Sequence, residues 1–395
     1  MITMLMHRIF HSCSNGRGVQ HLWGHVTSAY AAPALARSYA AIPDALKPAF
    51  GFCVQQVRQY DYLNYVWLSQ ARKDLRPALF ALRAFNVETG LVADNVRSKE
   101  AVVGQIRFQW WRDAVKAAFE GRPPNHPVAL ALAHVLHADA SGAAGAGAGS
   151  SASTSTSSSG GGGACGGGCG SSIHGADAAW SSEAGGVGSR GPGGPASRYS
   201  RYSFKRIIDC READFLDPQP PLDLQALEQY AEGTASQLMY LQLSAAGIKH
   251  RDADHAASHL GRAAGLTTLL RGTPAHAAAR RSYLPVDLCA EAHVSQEDVY
   301  GGVVSEGLRD VVHKVASLAK GHLDEARRLA PRLPPMAADV MLPAVAVGRY
   351  LEALEAANFD PFDGRLAREH GGGGEGSAPL PYVLAVKWHQ LRGTY

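Results

Sequence analysis

Along most of the chain, side chains that belong together recur at steps of three and four, the period of helices with one face turned inward. In residues 52–70, Val54, Val57, Asp61, Tyr65 and Leu68 keep that spacing. Residues 76–96 and 99–119 predict the next two helices. The second of these carries Ile106, Trp110 and Trp111 and stops at Gly121, ahead of Pro123 and Pro124. Residues 127–138 predict a fourth helix, with Pro127 in the first turn, where its missing N–H is no loss. The pattern returns at 199–215 and 222–246, and again at 305–329, 334–356 and 382–392. Convincing period-two alternation is lacking, so the class is all-α.

The stretch from His255 to Arg271 is the one around which the others are arranged. Ala256, Leu260, Ala263, Thr267 and Leu270 fall on one helical face. The small residues Gly261, Ala263, Ala264 and Gly265 predict a buried helix that a neighbour approaches closely. Gly272 and Pro274 are its stop signals.

Two segments break the periodicity. From about 140 to 197 the chain is Gly, Ser and Ala with almost no large apolar side chain. Such a segment cannot bury enough surface to offset its ordering entropy, so it reads as an insertion in a loop of one domain. Cys165, Cys169 and His174 lie inside it, where a metal would first have to order the tract. The other segment is 1–39, which holds Arg8, Arg17 and Arg37 and no carboxylate. It has the composition of an organelle transit peptide, and Arg37-Ser-Tyr-Ala40 places the expected cut between Tyr39 and Ala40. The working division is therefore a leader at 1–39 and a single interrupted domain at 40–395. A chloroplast address is the rival to a mitochondrial one.

Charge and hydropathy narrow the partners. Removing 1–39 takes the net charge from +3 to about zero. No basic block with interleaved aromatics stands out, which argues against nucleic acid. No uninterrupted apolar run is long enough to span a bilayer.

Two stretches carry a family resemblance. In Arg76-Pro-Ala-Leu-Phe-Ala-Leu-Arg-Ala-Phe85, the residues Arg76, Ala78, Ala81, Ala84 and Phe85 resemble the first signature of the squalene/phytoene synthase family. Ala263, Leu266, Thr267, Leu269, Leu270 and Arg271, then Arg281, Tyr283, Leu284 and Pro285, resemble its second. Trp111-Arg-Asp-Ala, His126-Pro-Val and Ile207-Ile-Asp-Cys-Arg-Glu-Ala-Asp214 are similar to other family segments. The resemblance covers about 54–137 and 199–395. It implies an isoprenoid-synthase-like helical bundle around a central cavity.

The resemblance also implies which residues ought to hold metal, and most are missing. In the first motif, formed here by Glu88, Gly90, Leu91 and Asp94, the leading aspartates fall on Gly90 and Leu91. In the second, formed by Arg271, Gly272 and His276, the carboxylates are replaced by Gly272 and His276. The family's reaction expels a diphosphate that Mg²⁺ neutralises, and Mg²⁺ prefers an octahedron of hard oxygens. One carboxylate and one imidazole make a poor clamp. The expectation is a pseudoenzyme without metal or cofactor. Arg83, Asp209, Asp214, Arg271, Arg281 and Tyr283 are left to meet an anion or lipid in the cavity.

A branch of the family that lacks these aspartates is similar in Phe80-Ala-Leu-Arg-Ala-Phe-Asn-Val-Glu88, Asp254-His-Ala-Ala-Ser-His-Leu-Gly261, Val294-Ser-Gln-Glu-Asp298 and the ending from Trp388 to Tyr395. This resemblance implies assembly of respiratory complex I, with complex I subunits or other assembly factors as partners. It also implies peripheral association with the mitochondrial inner membrane on the matrix side. An active prenyltransferase and a protein that holds an isoprenoid or quinone-like lipid are the two rival readings. His255 and His259, four apart, read as a solvated helix start rather than a metal face, because no third ligand is visible. Tyr60-Asp-Tyr-Leu-Asn-Tyr-Val-Trp67 reads as core, with a lipid-pocket wall as the alternative.

The leader yields a direct test. N-terminal sequencing of protein recovered from mitochondria should return a chain that starts at Ala40. A mature terminus well downstream, or recovery from plastids alone, would reject the assignment.

Overall fold

The computed structural model describes residues 42–96, 101–144, 197–369 and 380–395. The expected leader, most of the expected insert, and Cys165, Cys169 and His174 lie outside the described residues. Within them the regular elements are helices and no strand occurs, as the periodicity predicts.

The chain enters through α1 (Lys47–Tyr60), α2 (Tyr62–Gln70), α3 (Arg76–Gly90) and the single turn α4 (Val92–Asn95). Then come α5 (Ala101–Phe119), α6 (Pro127–Ala144), α7 (Arg201–Leu216) and α8 (Leu224–Ala231). A π turn at Glu232–Ser236 joins α8 to α9 (Gln237–Ala245). The central helix is α10 (Arg251–Arg271). Three short helices follow: α11 (Thr273–Ala278), α12 (Val286–Glu291) and α13 (Gln296–Tyr300). The chain finishes with α14 (Glu306–Leu329), α15 (Ala337–Met341), α16 (Pro343–Ala356), α17 (Gly364–Glu369) and α18 (Leu380–Arg392).

Several helices differ from the periodicity in ways that packing explains. The 52–70 helix is two, broken at Asp61, whose φ of −140° and ψ of 55° leave the helical region. The break turns the Asp61 carboxylate toward Arg83 on α3, 3.4 Å away. The 76–96 helix breaks at Leu91. The 222–246 helix is interrupted by the π turn, and the 334–356 helix by Leu342 ahead of Pro343. Helix α6 runs on to Ala144, six residues beyond the sequence-based end. Helices α11 to α13 escape the period because one or two turns give too few repeats to read. Other stops fall where expected. Gly121 takes a φ of +75°, and the Gly121 and Arg122 amides donate to Ala118 and Ala117, closing α5 with a Schellman motif. Val294-Ser-Gln-Glu-Asp298 is a capping box at the start of α13, with Ser295 and Asp298 bonded reciprocally. After the insert, Ser197 Oγ donates to the Leu136 carbonyl at 3.3 Å, so the chain re-enters the fold beside α6.

Helix α10 is the axis of the packing. Ala256, Leu260, Ala263, Thr267 and Leu270 are all buried. It packs most extensively against α14, whose Leu308, Val311, Val312, Val315, Ala319 and Leu323 form one buried stripe. On another side lies the α8–π–α9 segment, and α16 closes a third. The glycines permit this approach. A Cβ on Gly261 would stand 2.3 Å from Ser236 Cα, and one on Gly265 would stand 2.6 Å from Ala231 Cβ. In its place, Ser236 Oγ donates to the Ser258 carbonyl at 3.0 Å.

This contact predicts opposite outcomes for the same substitution at two glycines. Gly261→Ala should lower stability by about 2–3 kcal/mol, because the clash is with backbone and the helices must part. Gly321→Ala, on the exposed side of α14 with nothing within 4 Å of its Cβ, should raise it by about 0.8 kcal/mol. Urea denaturation of both variants checks the pair. Equal effects would remove the close approach as the cause.

Candidate functional site

A cavity of about 490 Å³ opens between the first and second halves of the chain. Tyr60 and Asp61 at the α1–α2 break, Leu63 and Asn64 on α2, and Arg83 and Asn86 on α3 form one wall. Thr267, Thr268 and Arg271 on α10 and Pro343, Val347 and Tyr350 on α16 form another. Arg211 of α7, Tyr230 of α8 and Leu238 of α9 close it between them.

Both motifs marked by the family resemblance reach this cavity. Gly90, Leu91 and Asp94 line it from one side, and Arg271 and His276 from the other. Glu88 does not line it. It faces a second concavity with Ile106, Trp110 and His126, and burial raises its pKa. Asp209, Asp214, Arg281 and Tyr283 do not line the cavity either. Arg112 donates to Asp209 at 2.7 Å, and Lys205 also bonds it. Burial acts to raise the Asp209 pKa, but these two cations outweigh it and hold the carboxyl low. Asp214 accepts from Arg281 at 2.9 Å and from the Tyr283 hydroxyl at 2.8 Å, tying the segment after α11 to α7.

Arg211, which the motif comparison passes over, is the cation that matters at the first motif. Its guanidinium donates to the Asn86 carbonyl at 2.5 Å, to Asn86 Oδ1 at 2.7 Å and to Thr89 Oγ1. A Cβ on Gly90 would lie 3.7 Å from Cζ, Nη1 and Nη2 of this group. The guanidinium thus occupies the space in front of a position where the family resemblance expects a carboxylate. Burial lowers its pKa, although an arginine keeps its proton in any folded protein. No carboxylate of the described residues is within ion-pair distance of it. Spacing alone did not single it out, since Asp214, three residues further along α7, shares its face and yet does not line the cavity.

At the second motif, His276 folds back onto Gly272. A Cβ at 272 would meet His276 Cε1 at 2.5 Å, so a side chain there and this imidazole position exclude each other. The ring rests edge-on against Tyr283, with centroids 4.7 Å apart. Its Nδ1 is buried with no hydrogen-bond partner. Burial, then Arg281, lower its pKa against the opposing pull of Asp214 and Asp94, so the imidazole is neutral at physiological pH.

The remaining charges are sparse. Arg83 is buried with its Nη1 3.4 Å from Asp61 Oδ2, and its Nε has no partner. Arg271 lines the cavity without an ion pair among the described residues. Among the described residues, carboxylates line the cavity only at Asp61, held by Arg83, and at Asp94. Among the described residues no group of three or more His, Cys, Asp or Glu is placed to hold a metal ion. The donor set does not fit a bridging Mg²⁺ site, since a guanidinium stands where hard oxygens are needed.

Two other readings are resolved by position. His255 and His259 are joined by His322 of α14: His259 Nδ1 is 2.8 Å from His322 Nδ1, and His259 Nε2 is 3.2 Å from His255 Nε2. They form a hydrogen-bonded chain rather than a lone solvated pair. Burial, followed by the two other imidazoles, pushes the His259 pKa down to about 4. The aromatic run serves both roles. Trp67 is fully buried, while Tyr60, Asp61, Leu63 and Asn64 line the cavity.

The site analysis predicts that Arg211→Met lowers stability by about 1–3 kcal/mol, by leaving Asn86 and Thr89 acceptors without their donor. Thermal melts of the wild type with and without millimolar Mg²⁺ should superimpose, since a ligand stabilises only a state that binds it. A stable Arg211→Met variant, or a rise with Mg²⁺, would contradict this account of the charges.

Comparison with known proteins comes to the same architecture. The family model for squalene/phytoene synthase matches residues 57–143 and 195–370. The chain is 33% identical over 319 residues to "NADH dehydrogenase (ubiquinone) complex I, assembly factor 6" of Bos taurus, covering 81% of this chain and 78% of that protein. It is 30% identical over 135 residues to presqualene diphosphate synthase of Rhodopseudomonas palustris, covering 34% of this chain and 48% of that enzyme. In three dimensions it resembles the squalene synthase HpnC of Alicyclobacillus acidocaldarius, with a TM-score of 0.59, 16% identity, and coverage of 82% of this chain and 100% of that one.

Proposed function

The chain belongs to the squalene/phytoene synthase family, and from that premise we propose that it is an assembly factor for respiratory complex I, working in the mitochondrion on a fold that no longer runs the family's reaction. The observation that carries the reading is the 33% identity to a complex I assembly factor across 81% of the chain. Likeness to a presqualene diphosphate synthase extends over only 34%. Complex I subunits or fellow assembly factors are the partners. The place of action is the matrix side of the inner membrane, reached by peripheral attachment, and no described helix is long and apolar enough to cross a membrane.

The chemistry supports the loss of activity. Ionising a prenyl diphosphate requires the departing anion to be neutralised as the bond breaks. Metal stabilisation worth several kcal/mol is absent from a donor set of two separated carboxylates, and each 1.36 kcal/mol is about tenfold in rate. Arg211 and Arg271 could hold an anion in the ground state. A static pair of cations that binds substrate and transition state alike does not accelerate bond breaking.

A second reading rests on the cavity itself. Its volume of about 490 Å³ is within the range of small-molecule sites, and two of its arginines have no carboxylate partner among the described residues. It would hold an anion-headed isoprenoid or a quinone-like lipid without turning it over.

Three results decide among these readings. Purified protein given farnesyl or geranylgeranyl diphosphate with Mg²⁺ or Mn²⁺ should release no detectable product. A null strain should lose assembled complex I while keeping its isoprenoid products. Turnover in the tube with complex I intact in the null would restore the synthase. Mass spectrometry of organic extracts tests the second reading, which requires a lipid that co-purifies with wild type and is lost from Arg271→Met.

A further inference from the structure

Helix α18 is seated on the fold by one face only. Tyr382 and Val386 are buried, and the Tyr382 hydroxyl donates to the Leu63 carbonyl at 3.0 Å. Gln390 Nε2 donates to the Gln70 carbonyl at 2.5 Å, so α18 is bonded to α2 at both ends. The opposite face is apolar and open to solvent: Leu380 is 74% exposed, Leu384 59%, Trp388 56% and Leu391 74%. Steps of four, four and three at about 100° per residue keep these four side chains within an arc of about 80°. This is a continuous stripe, not a scatter of single exposed residues.

The charges fall on the margins of that stripe. At the same pitch, Lys387 lies just outside one edge of the arc and Arg392 just outside the other. Arg392 reaches over the Trp388 ring, 5.2 Å from its centroid. Residues 380–395 contain no Asp or Glu. Lys387 Nζ donates to Gln390 Oε1 at 3.0 Å, on the exposed side of the helix, and its charge acts on Asp339, which is half-buried and lies near Arg72. Asp74, also nearby, is bonded to Arg72 at 2.6 Å.

From this arrangement we infer that α18 is a membrane-docking helix that lies in the headgroup region of an anionic bilayer. An apolar stripe of Leu and Trp flanked by cations, on a helix too short to span, is the build of an interfacial helix. Lys and Arg at the margins extend their aliphatic stems along the acyl boundary and place their charges among the lipid phosphates. Trp388 has the ring that favours the interface. A protein partner would bring its own carboxylates to Lys387 and Arg392, but of the four large apolar side chains Trp388 alone carries a polar group, its indole N–H, which the headgroup region serves equally well. The inference deepens the peripheral attachment in the proposed function and rests on it for the side of the membrane. It also places the cavity one helix from the lipid, since Leu63 both anchors Tyr382 and lines the cavity.

Flotation of the purified full-length chain tests it without complex I being present. The protein should float with phosphatidylcholine vesicles that contain about 30% phosphatidylglycerol and much less with phosphatidylcholine alone, because each cation near an anionic surface strengthens binding about fivefold. Leu384→Glu with Trp388→Glu should cut the partition coefficient about tenfold or more in either vesicle, by removing the apolar contact. Lys387→Glu with Arg392→Glu should abolish the preference for anionic lipid. All four side chains are exposed, so circular dichroism and melting temperature should match wild type. If the apolar double variant does not fold, Leu391→Glu alone serves in its place. A wild type that stays at the bottom of the gradient overturns the inference, as do stripe variants that float like wild type. Vesicle binding left unchanged while a stripe variant loses a co-purifying protein would assign the face to a protein instead. Failure here leaves the complex I reading to the null strain, which tests it separately.

Discussion

The close approach of α10 to the α8–π–α9 segment is the constraint on which the rest of the molecule depends. Where a Cβ at Gly261 would strike the Ser236 backbone, hydrogen takes its place and the two helices settle together. That contact sets the position of Thr267, Arg271 and Tyr230 relative to one another, and hence two walls of the cavity. It also coincides with the π turn at Glu232–Ser236, one residue wider than an α-turn, which re-registers α9 against α3 and α7. Local backbone irregularity and a small-residue stripe on the facing helix are two sides of one packing solution.

On this frame the cavity acquires an unusual electrostatic balance. Arg83, Arg211 and Arg271 line it against Asp61 and Asp94, and among the described residues only Arg83 has a carboxylate within ion-pair distance. A buried guanidinium is costly to the extent that its donors go unsatisfied. Arg211 limits that cost with neutral acceptors, Asn86 and Thr89, so its positive charge remains available to the cavity. Asp209 and Asp214, acidic residues on the same helix, are spent elsewhere: one joins α7 to α5 through Arg112, the other holds Arg281 and Tyr283.

How much of this was legible in the sequence follows from the range of each signal. Long amphipathic helices announce themselves by period, and α10, α14 and the small-residue face at 261–265 were readable from spacing alone. The breaks at Asp61 and Leu91 were not. Asp61 is the N-cap of α2 and accepts from Asn64 at 2.6 Å, a local preference that the longer periodic pattern hides, while its contact with Arg83, 22 positions away, is not encoded locally. The short helices α11 to α13 fall below the length at which a period can be counted. For the site, motif correspondence found both cavity-facing edges but not the side chain that fills the space between them. Matching positions says which residue is absent. It does not say what has moved into the gap.

What has moved in bears on whether the proposed loss of metal chemistry is easily reversed. An aspartate at 272 would have its Cβ 2.5 Å from His276 Cε1 unless the imidazole left its seat against Tyr283. An aspartate at 90 would fit, with its Cβ 3.7 Å from the Arg211 guanidinium, but it would pair with that cation before it could bind a metal. Two of the positions where the family resemblance expects a carboxylate therefore have a structural partner that depends on its absence: Gly272 with His276, and Gly90 with Arg211. Restoring a metal clamp would require changing both members of each pair, and removing Arg211 would strand Asn86 and Thr89. The two positions have settled into a cationic, metal-poor arrangement that is consistent within itself. A cavity of this kind suits a protein that binds and positions better than one that ionises.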